Sequence, residues 1–258
     1  MPDDRILPLT GVNNFRDYGG YTVAGGGHVK RGSLWRSGQH VAASDEDLEA
    51  IAAIGIATVI DLRGDSERQA NPCRRPEGFS AEVLTCEGET AGLASHIDAG
   101  RGVLTEEDAR AAMCRLYSEM PYRPNLVTVL RSYFAAIAER EGASLIHCFA
   151  GKDRTGFAVA ITHHVLGVHY DDAMQDYLLT NAATRGRGIP GNAGTDNDKY
   201  SLLSEAASNA LRGVSPEYLD AAFVAMRDSH GSVDAYLEDV LAVDSAARSR
   251  ILENFVET

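Results

Sequence analysis

The amino-acid sequence predicts an α/β fold, in which a mainly parallel central sheet is flanked by helices and followed by a helical C-terminal extension. Short apolar runs rich in Val, Ile and Leu alternate with helical patterns, as in parallel α/β domains. A glycine-containing loop joins one of these runs directly to a helix. After residue 170 the pattern is almost entirely helical, and no Pro/Ser-rich linker precedes it, which favours one domain over residues 1–258.

The elements are predicted from local signals along the chain. Glycines at 25–27 supply the positive φ that a hairpin turn needs, and Ser44 and Thr105 each precede an acidic first helical turn. Buried strands are predicted where apolar runs are short and rich in β-branched residues. In order, we predict a hairpin over 21–30, a helix from Ser44 that Gly55 ends, strands over 57–62 and 81–85, a helix capped by Thr105, a helix over about 125–140, a strand over 144–147 and a helix beginning near Thr155.

The composition excludes several kinds of partner. With 24 Lys+Arg against 37 Asp+Glu, the formal net charge is −13, whereas nucleic acids and anionic membranes select for clustered cations. The four cysteines form no Cys-x-x-Cys pair, which argues against a disulfide framework and a structural zinc site. We find no signal-peptide pattern and no run of about 18 apolar residues. We therefore expect a cytoplasmic protein, although export without a cleaved signal stays open, as does the oligomeric state.

Residues 148–154, here called the signature loop, carry the predicted chemistry. The string from 147 to 156 reads His-Cys-Phe-Ala-Gly-Lys-Asp-Arg-Thr-Gly, between a strand and a helix. Loop N–H groups and a helix N-terminus can together hold a tetrahedral anion, and Arg154 can donate two hydrogen bonds to it. The positive field of these groups favours a Cys148 thiolate. The predicted phosphate-binding residues are Phe149, Ala150, Gly151, Lys152, Asp153 and Arg154. This arrangement predicts covalent phosphoryl transfer without a metal or other cofactor.

Other interpretations of Cys148 are weaker. A buried strand-end cysteine beside a capping turn would need none of the flanking Gly-Lys-Asp-Arg-Thr-Gly residues. A rhodanese-like sulfurtransferase also places a cysteine between strand and helix, but the Arg154-Thr155-Gly156 ending fits a phosphatase better. A phosphate-binding pseudophosphatase is disfavoured because Cys148, Arg154 and Thr155 are all present.

The string resembles the signature of cysteine-dependent protein tyrosine phosphatases. Its Gly-Lys-Asp-Arg-Thr-Gly form is similar to the bacterial atypical tyrosine/serine group, some members of which also dephosphorylate phosphoinositides. Further matches follow in family order at residues 14–20, 36–38, 61–63 with 67–68, and 176–181, whereas 87–122 and 185–199 show no matching motif. The resemblance implies a tyrosine-phosphatase-like fold and hydrolysis of phosphotyrosine, with phosphoserine, phosphothreonine or phosphoinositides as further substrates.

The resemblance also implies roles for single residues. Cys148 would attack phosphorus to form a cysteinyl-phosphate, and Arg154 would stabilise the three equatorial oxygens. Thr155 would hydrogen-bond the sulfur, and His147 would orient the loop through backbone hydrogen bonds rather than transfer protons.

The general acid has two candidates. Many tyrosine phosphatases supply it from a Trp-Pro-Asp loop, which is absent here, and in the similar bacterial group it is thought to lie within the signature loop, which points to Asp153. Asp61, at the carboxyl end of a predicted strand, is the second candidate. Asp153 could instead be a first-turn acid favoured by the helix dipole, and Asp61 could instead orient Arg154 or Lys152.

Three further hypotheses concern the surroundings of the loop. Lys152 suits substrates with more than one anionic group and hence phosphoinositides, unless it is a solvated loop-tip lysine or pairs with Asp61. Residues 14–17 either buttress the loop or form an ordinary turn pinned by polar bonds of Arg16 and Asp17. Residues 185–199 are a surface loop or part of a lid over about 182–212.

Overall fold

The computed structural model describes residues 4–90, 105–139, 142–184 and 203–258. The strands are β1 (Arg16–Asp17), β2 (His28–Val29), β3 (Leu34–Ser37), β4 (Ile56–Asp61), β5 (Glu82–Leu84), β6 (Ala143–His147) and β7 (Val256–Glu257). The α-helices are α1 (Asp45–Ala52), α2 (Asp65–Ala70), α3 (Glu106–Glu119), α4 (Pro124–Glu139), α5 (Asp153–Leu166), α6 (Tyr170–Ala183), α7 (Glu205–Arg212), α8 (Pro216–His230), α9 (Val233–Leu241) and α10 (Ser245–Phe255), and Met120–Tyr122 form a 3-10 turn.

The central sheet has the strand order β1-β3-β6-β4-β5. Strands β3, β6, β4 and β5 run parallel, and only β1, among the strands assigned to this sheet, runs antiparallel to its neighbour. His147 at the end of β6 lies opposite Ser37 of β3 and Asp61 of β4. The carboxyl ends of the three middle strands therefore meet at one edge, where α/β proteins place their ligands. The predicted mainly parallel sheet is confirmed.

The predicted hairpin over 21–30 is also present. Thr22 bridges His28 in antiparallel register, and the Val23 N–H donates to the Gly27 carbonyl across the turn. The second arm, β2, pairs in addition with β7 at the C-terminus of the chain. β2 and β7 thereby form a separate two-stranded sheet.

Helix caps lie where the sequence predicts them, with one difference. The Ser44 and Thr105 side chains accept hydrogen bonds from the N–H groups of Asp47 and Asp108. The helix after β6, in contrast, begins at Asp153, two residues before the predicted start near Thr155. First-turn N–H groups need no helical acceptor, so the helix can start as soon as the loop has turned.

The two faces of the sheet are covered by separate groups of apolar side chains. On one face, Val59 and Leu145 pack with α1 in the smaller cluster. On the other face, Ile60 and Ile146 belong to a larger cluster that also contains side chains of α3 to α5 and of the C-terminal helices α7 to α10. The helical extension thus shares its core with the sheet. No helix in the described ranges is long and apolar enough to cross a membrane.

Candidate active site

Cys148 directly follows β6, and α5 starts five residues later. The cysteine is almost completely buried, with 2% of its surface exposed. Within the described residues, the backbone N–H groups of residues 149–152 donate no hydrogen bond. The first turn of α5 adds further N–H groups that a helix cannot satisfy internally. Cys148 therefore lies at the start of a loop rich in free donors, as anion binding requires.

The conformation of the loop depends on glycine at its apex. Gly151 has φ 68°, and a Cβ atom there would lie 2.4 Å from the backbone nitrogen of Gly38. The Gly151 carbonyl accepts hydrogen bonds from Asn14 Nδ2 at 2.6 Å and from Arg36 Nη2 at 3.0 Å. The loop is therefore fixed from the side of β3 and of the segment before β1.

A buried charge cluster supports these contacts. Arg16, Arg36 and Asp176 are fully buried, and the Asp176 carboxylate accepts from Arg36 Nη1 at 2.9 Å and from Arg16 Nε at 3.2 Å. Burial alone would raise the pKa of Asp176, but the two arginine charges outweigh it and lower that pKa far below its usual range. Arg16 also donates to the side chain of Asn14. The structure agrees with the buttress hypothesis for Asn14 and Arg16, and the partner of Arg16 is Asp176 rather than Asp17.

Arg154, in the first turn of α5, is held by a carboxylate from α2. Its Nη1 and Nη2 lie 2.5 and 2.7 Å from the two Glu67 oxygens, and Nη1 also donates to Thr90 Oγ1 at 2.9 Å and to the Leu62 carbonyl at 3.2 Å. Burial alone would raise the pKa of Glu67, but the Arg154 charge and hydrogen bonds lower it. Glu67 lies in a motif that matches the family, but the sequence alone assigned it no function. A buried arginine needs a carboxylate partner, and this requirement could have pointed to Glu67.

The residues next to Cys148 and Arg154 have distinct environments. His147 Nδ1 lies 3.3 Å from the Cys148 carbonyl oxygen, and burial lowers its pKa to about 4, so the ring is neutral at pH 7. The buried Thr155 hydroxyl has no hydrogen-bond partner among the described residues, the Cys148 sulfur included. A bond from Thr155 to a sulfur anion stays a prediction.

Asp61 forms a buried ion pair with Arg63. Its carboxylate accepts from Arg63 Nε at 2.9 Å and from Arg63 Nη2 at 2.7 Å. Burial would raise its pKa, but the neighbouring His147 and Arg63 lower it far below the usual range. Asp61 is thus ionised and has no proton to donate at neutral pH, which disfavours it as the general acid. The alternative that it orients Arg154 or Lys152 does not match the structure, in which Arg154 binds Glu67 and Lys152 binds the Leu211 carbonyl.

Cys73 and His147 also lie close to Asp61. Single ligand atoms of Asp61, Cys73 and His147 lie within 4.8 Å of one another. Arg63 Nη2, however, also donates to the Cys73 sulfur at 3.2 Å. A guanidinium already compensates these groups, so they fit a metal ion poorly.

Asp153 has the surroundings of a positioned acid. It is the first residue of α5, is buried, and its Oδ1 accepts a hydrogen bond from the Tyr117 hydroxyl at 2.9 Å. The first-turn position that the helix dipole favours is therefore observed as well. Tyr117 lies in α3, within the segment for which the sequence offered no motif.

Lys152 is neither solvated nor paired with Asp61, so both alternatives to its substrate role are wrong. Its side chain is 6% exposed, and Nζ donates to the Leu211 carbonyl at 2.6 Å, with Asp153 Oδ1 at 3.6 Å. Leu211 lies in the last turn of α7, where helix carbonyls lack internal partners. Of the predicted lid over 182–212, the residues 185–202 lie outside the described residues, and the rest belongs to the end of α6 and to 203–212 with α7.

The chain matches a family model, known proteins and a solved structure. The family model described as "Tyrosine phosphatase family" matches residues 7–257. A protein of Cupriavidus necator that carries a tyrosine-protein phosphatase name is 33% identical over 248 residues, 93% of this chain and 85% of that protein. The "Triple specificity protein phosphatase PtpB" of Mycobacterium tuberculosis is 27% identical, over 91% of this chain and 93% of that protein. The crystal structure of TpbA from P. aeruginosa is similar with 21% identity and a TM-score of 0.32, covering 80% of this chain and 96% of that chain.

Proposed function

Because the chain belongs to the tyrosine phosphatase family, we propose that it hydrolyses phosphate monoesters, phosphotyrosine among them, through a cysteinyl-phosphate intermediate. One observation carries the proposal. Cys148 opens a loop in which the N–H groups of residues 149–152 donate no hydrogen bond to any described residue, and Arg154, six residues after Cys148, is held by both oxygens of Glu67. A nucleophile, an anion cradle and an oriented guanidinium are thereby combined within one loop.

In the first step, the Cys148 thiolate attacks phosphorus. A sulfur–phosphorus bond forms, and the bond between phosphorus and the ester oxygen breaks, its electron pair leaving with that oxygen. Asp153 donates a proton to the leaving oxygen. The loop N–H groups and Arg154 stabilise the charge on the three equatorial oxygens.

In the second step, water attacks phosphorus and the sulfur–phosphorus bond breaks. The Asp153 carboxylate, ionised after the first step, takes a proton from that water. Inorganic phosphate leaves, and the electron pair returns to sulfur as a thiolate. The Thr155 hydroxyl, which has no other partner among the described residues, is the group we expect to donate to that thiolate.

We include phosphoserine, phosphothreonine and phosphoinositides in the proposed substrate range. A relative is named a triple specificity phosphatase, and this chain carries a second loop cation, Lys152. Its ammonium is bonded to the Leu211 carbonyl, so a second substrate phosphate would have to replace that bond.

The decisive experiment is a substrate panel with a chelator present. We expect phosphate release from phosphotyrosine peptides and phosphoinositides, complete loss in Cys148→Ser, and no loss in the control Cys114→Ser, whose half-buried sulfur lies in α3. Chelator-sensitive turnover, or turnover that survives Cys148→Ser, would contradict the mechanism. Thiosulfate turnover alone would indicate a sulfurtransferase, and phosphopeptide binding without release of phosphate would indicate a pseudophosphatase.

We further propose that residues 1–258 form one phosphatase domain and that the protein is cytoplasmic. The shared core of the sheet and the C-terminal helices supports the first proposal. Four free cysteines agree with a reducing compartment and so support the second. The lid over 182–212 stays a proposal, supported by the contact between Lys152 and the end of α7.

A further inference from the structure

A buried pair of tyrosines lies behind the proposed general acid. Tyr117 of α3 and Tyr177 of α6 are 0% and 1% exposed, and their rings meet edge to face. The Tyr177 hydroxyl donates to the Tyr117 hydroxyl at 2.7 Å, and the Tyr117 hydroxyl donates to Asp153 Oδ1 at 2.9 Å. Three helices thus place two hydroxyls in line with one carboxyl group.

The direction of this chain is fixed by the number of hydrogens. Each phenol has one hydrogen, and because Tyr117 accepts from Tyr177, its own hydrogen is directed to Asp153. Burial and the negative charge of Asp153 raise the pKa of both phenols well above 10. The tyrosines therefore stay protonated and act as hydrogen-bond donors rather than as a proton relay.

A donor fixed on Oδ1 has a consequence for the acid. When Asp153 is protonated, its carbonyl oxygen is the stronger acceptor, so the bond from Tyr117 to Oδ1 favours the hydrogen on Oδ2. The same bond restricts the rotation of the carboxyl group about its side-chain torsions. The proton that the leaving group needs is thereby kept on one oxygen and in one direction.

Tyr177 is itself closely packed against the start of α5. A Cβ atom on Gly156 would lie 2.9 Å from two carbons of the Tyr177 ring, so only glycine lets the helix approach this closely. Tyr177 directly follows Asp176, the carboxylate that holds Arg16 and Arg36. One turn of α6 therefore supports both the apex of the signature loop and, through Tyr117, its acid.

We propose that Tyr117 is a positioning residue that orients Asp153 for proton donation to the leaving group, with Tyr177 orienting Tyr117. This inference rests on the proposed function, and in particular on Asp153 as the general acid. It assigns a role to a residue outside every motif of the sequence and predicts that its effect depends on the leaving group.

The test compares phenyl phosphate, whose leaving group needs protonation, with 4-nitrophenyl phosphate, whose leaving group does not. For Tyr117→Phe we expect kcat to fall roughly 10- to 100-fold with phenyl phosphate and less than about 3-fold with 4-nitrophenyl phosphate. Tyr177→Phe should show the same preference more weakly. The control is Tyr236→Phe, which removes an equally buried hydroxyl that donates to the Pro121 carbonyl, and it should change neither rate.

Double variants show whether Tyr117 acts through Asp153. In the Asp153→Asn background, Tyr117→Phe should cause no further loss with either substrate. Equal losses with both substrates in Tyr117→Phe would overturn the inference, as would a further loss in the Asp153→Asn background. If melting curves show that Tyr117→Phe is unfolded, Tyr177→Phe decides by the same comparison, because it removes the hydroxyl that orients Tyr117 and keeps the bond from Tyr117 to Asp153.

The outcomes separate this inference from the proposed function. Turnover that persists in Cys148→Ser contradicts the cysteinyl-phosphate mechanism, whatever the tyrosine variants do. A Cys148-dependent enzyme with a leaving-group effect in Asp153→Asn but none in Tyr117→Phe overturns only the inference. An Asp153→Asn variant without a leaving-group effect overturns both the assignment of the acid and the role of Tyr117.

Discussion

Removal of the charge on Glu67 should reduce turnover without preventing substrate binding. Both Glu67 oxygens bind Arg154, at 2.5 and 2.7 Å, and hold the guanidinium beside the loop. A hydrogen bond to a charged group contributes about 1.5–3 kcal/mol. Glu67→Gln keeps one acceptor and loses the other bond, so we expect a loss of that size in the orientation of Arg154.

This free energy predicts the change in rate. At about 1.4 kcal/mol per factor of ten, kcat should fall roughly 10- to 100-fold. The change in KM should stay within about 3-fold, because Arg154 keeps its charge and its bonds to Thr90 and the Leu62 carbonyl. Steady-state kinetics with 4-nitrophenyl phosphate measures both constants without a contribution from the general acid.

The matched control is Glu106→Gln. Glu106 pairs with Arg110 on the surface of α3, and the exposed fractions of the two side chains are 46% and 41%. Exposed pairs of this kind contribute only about 0.3–0.5 kcal/mol, so kcat and the melting temperature should hardly change. A Glu67→Gln enzyme that is folded and has a kcat within about 2-fold of the wild type would refute the reasoning, since it would show that Arg154 needs no carboxylate.

Three further predictions concern the loop and its surroundings. Gly151→Ala should reduce turnover more than about 100-fold, because a left-handed backbone alone costs about 1–2 kcal/mol and the new Cβ lies 2.4 Å from Gly38 nitrogen; a folded variant of normal activity would contradict this. Lys152→Ala should lower phosphoinositide turnover about 10-fold more than phosphotyrosine turnover, and equal factors for the two would contradict the substrate role. Burial lowers the pKa of His40 well below 6.5 and that of His147 to about 4. The unfolded chain therefore binds protons more readily than the folded chain, and stability should fall as the pH drops from 6.5 towards 4. Melting curves should show a smaller fall in His147→Gln, and a wild-type stability that does not change with pH would contradict this.

Local signals predicted the elements of the fold well. The caps Ser44 and Thr105, and the strand before Cys148, follow from side-chain chemistry within a few residues. The start of α5 was predicted two residues late, because the sequence does not show that Gly151 completes the turn before Asp153.

Contacts between distant segments could not be predicted in this way. Glu67 is 87 residues from Arg154 and Tyr117 is 36 residues from Asp153, and the sequence offers 37 acidic residues and ten tyrosines as possible partners. The carbonyl that binds Lys152 is a backbone atom at the end of a helix, for which side-chain identity gives no signal. Charge alone suggested Asp61 for Lys152, whereas Asp61 binds Arg63 two residues away.

The buried charge cluster bears on how an acidic protein of net charge −13 can select an anion. Asp176 neutralises one of the two guanidinium groups of Arg16 and Arg36, which leaves one positive charge beneath the signature loop. Burial and the charge of Arg16 lower the pKa of Arg36 to about 10, so it stays charged at neutral pH. Dissolved salt screens surface fields over about 10 Å at 0.1 M but reaches buried charges weakly. The affinity for phosphate should therefore change little as the ionic strength rises, whereas the repulsion between the acidic surface and acidic substrates should decrease.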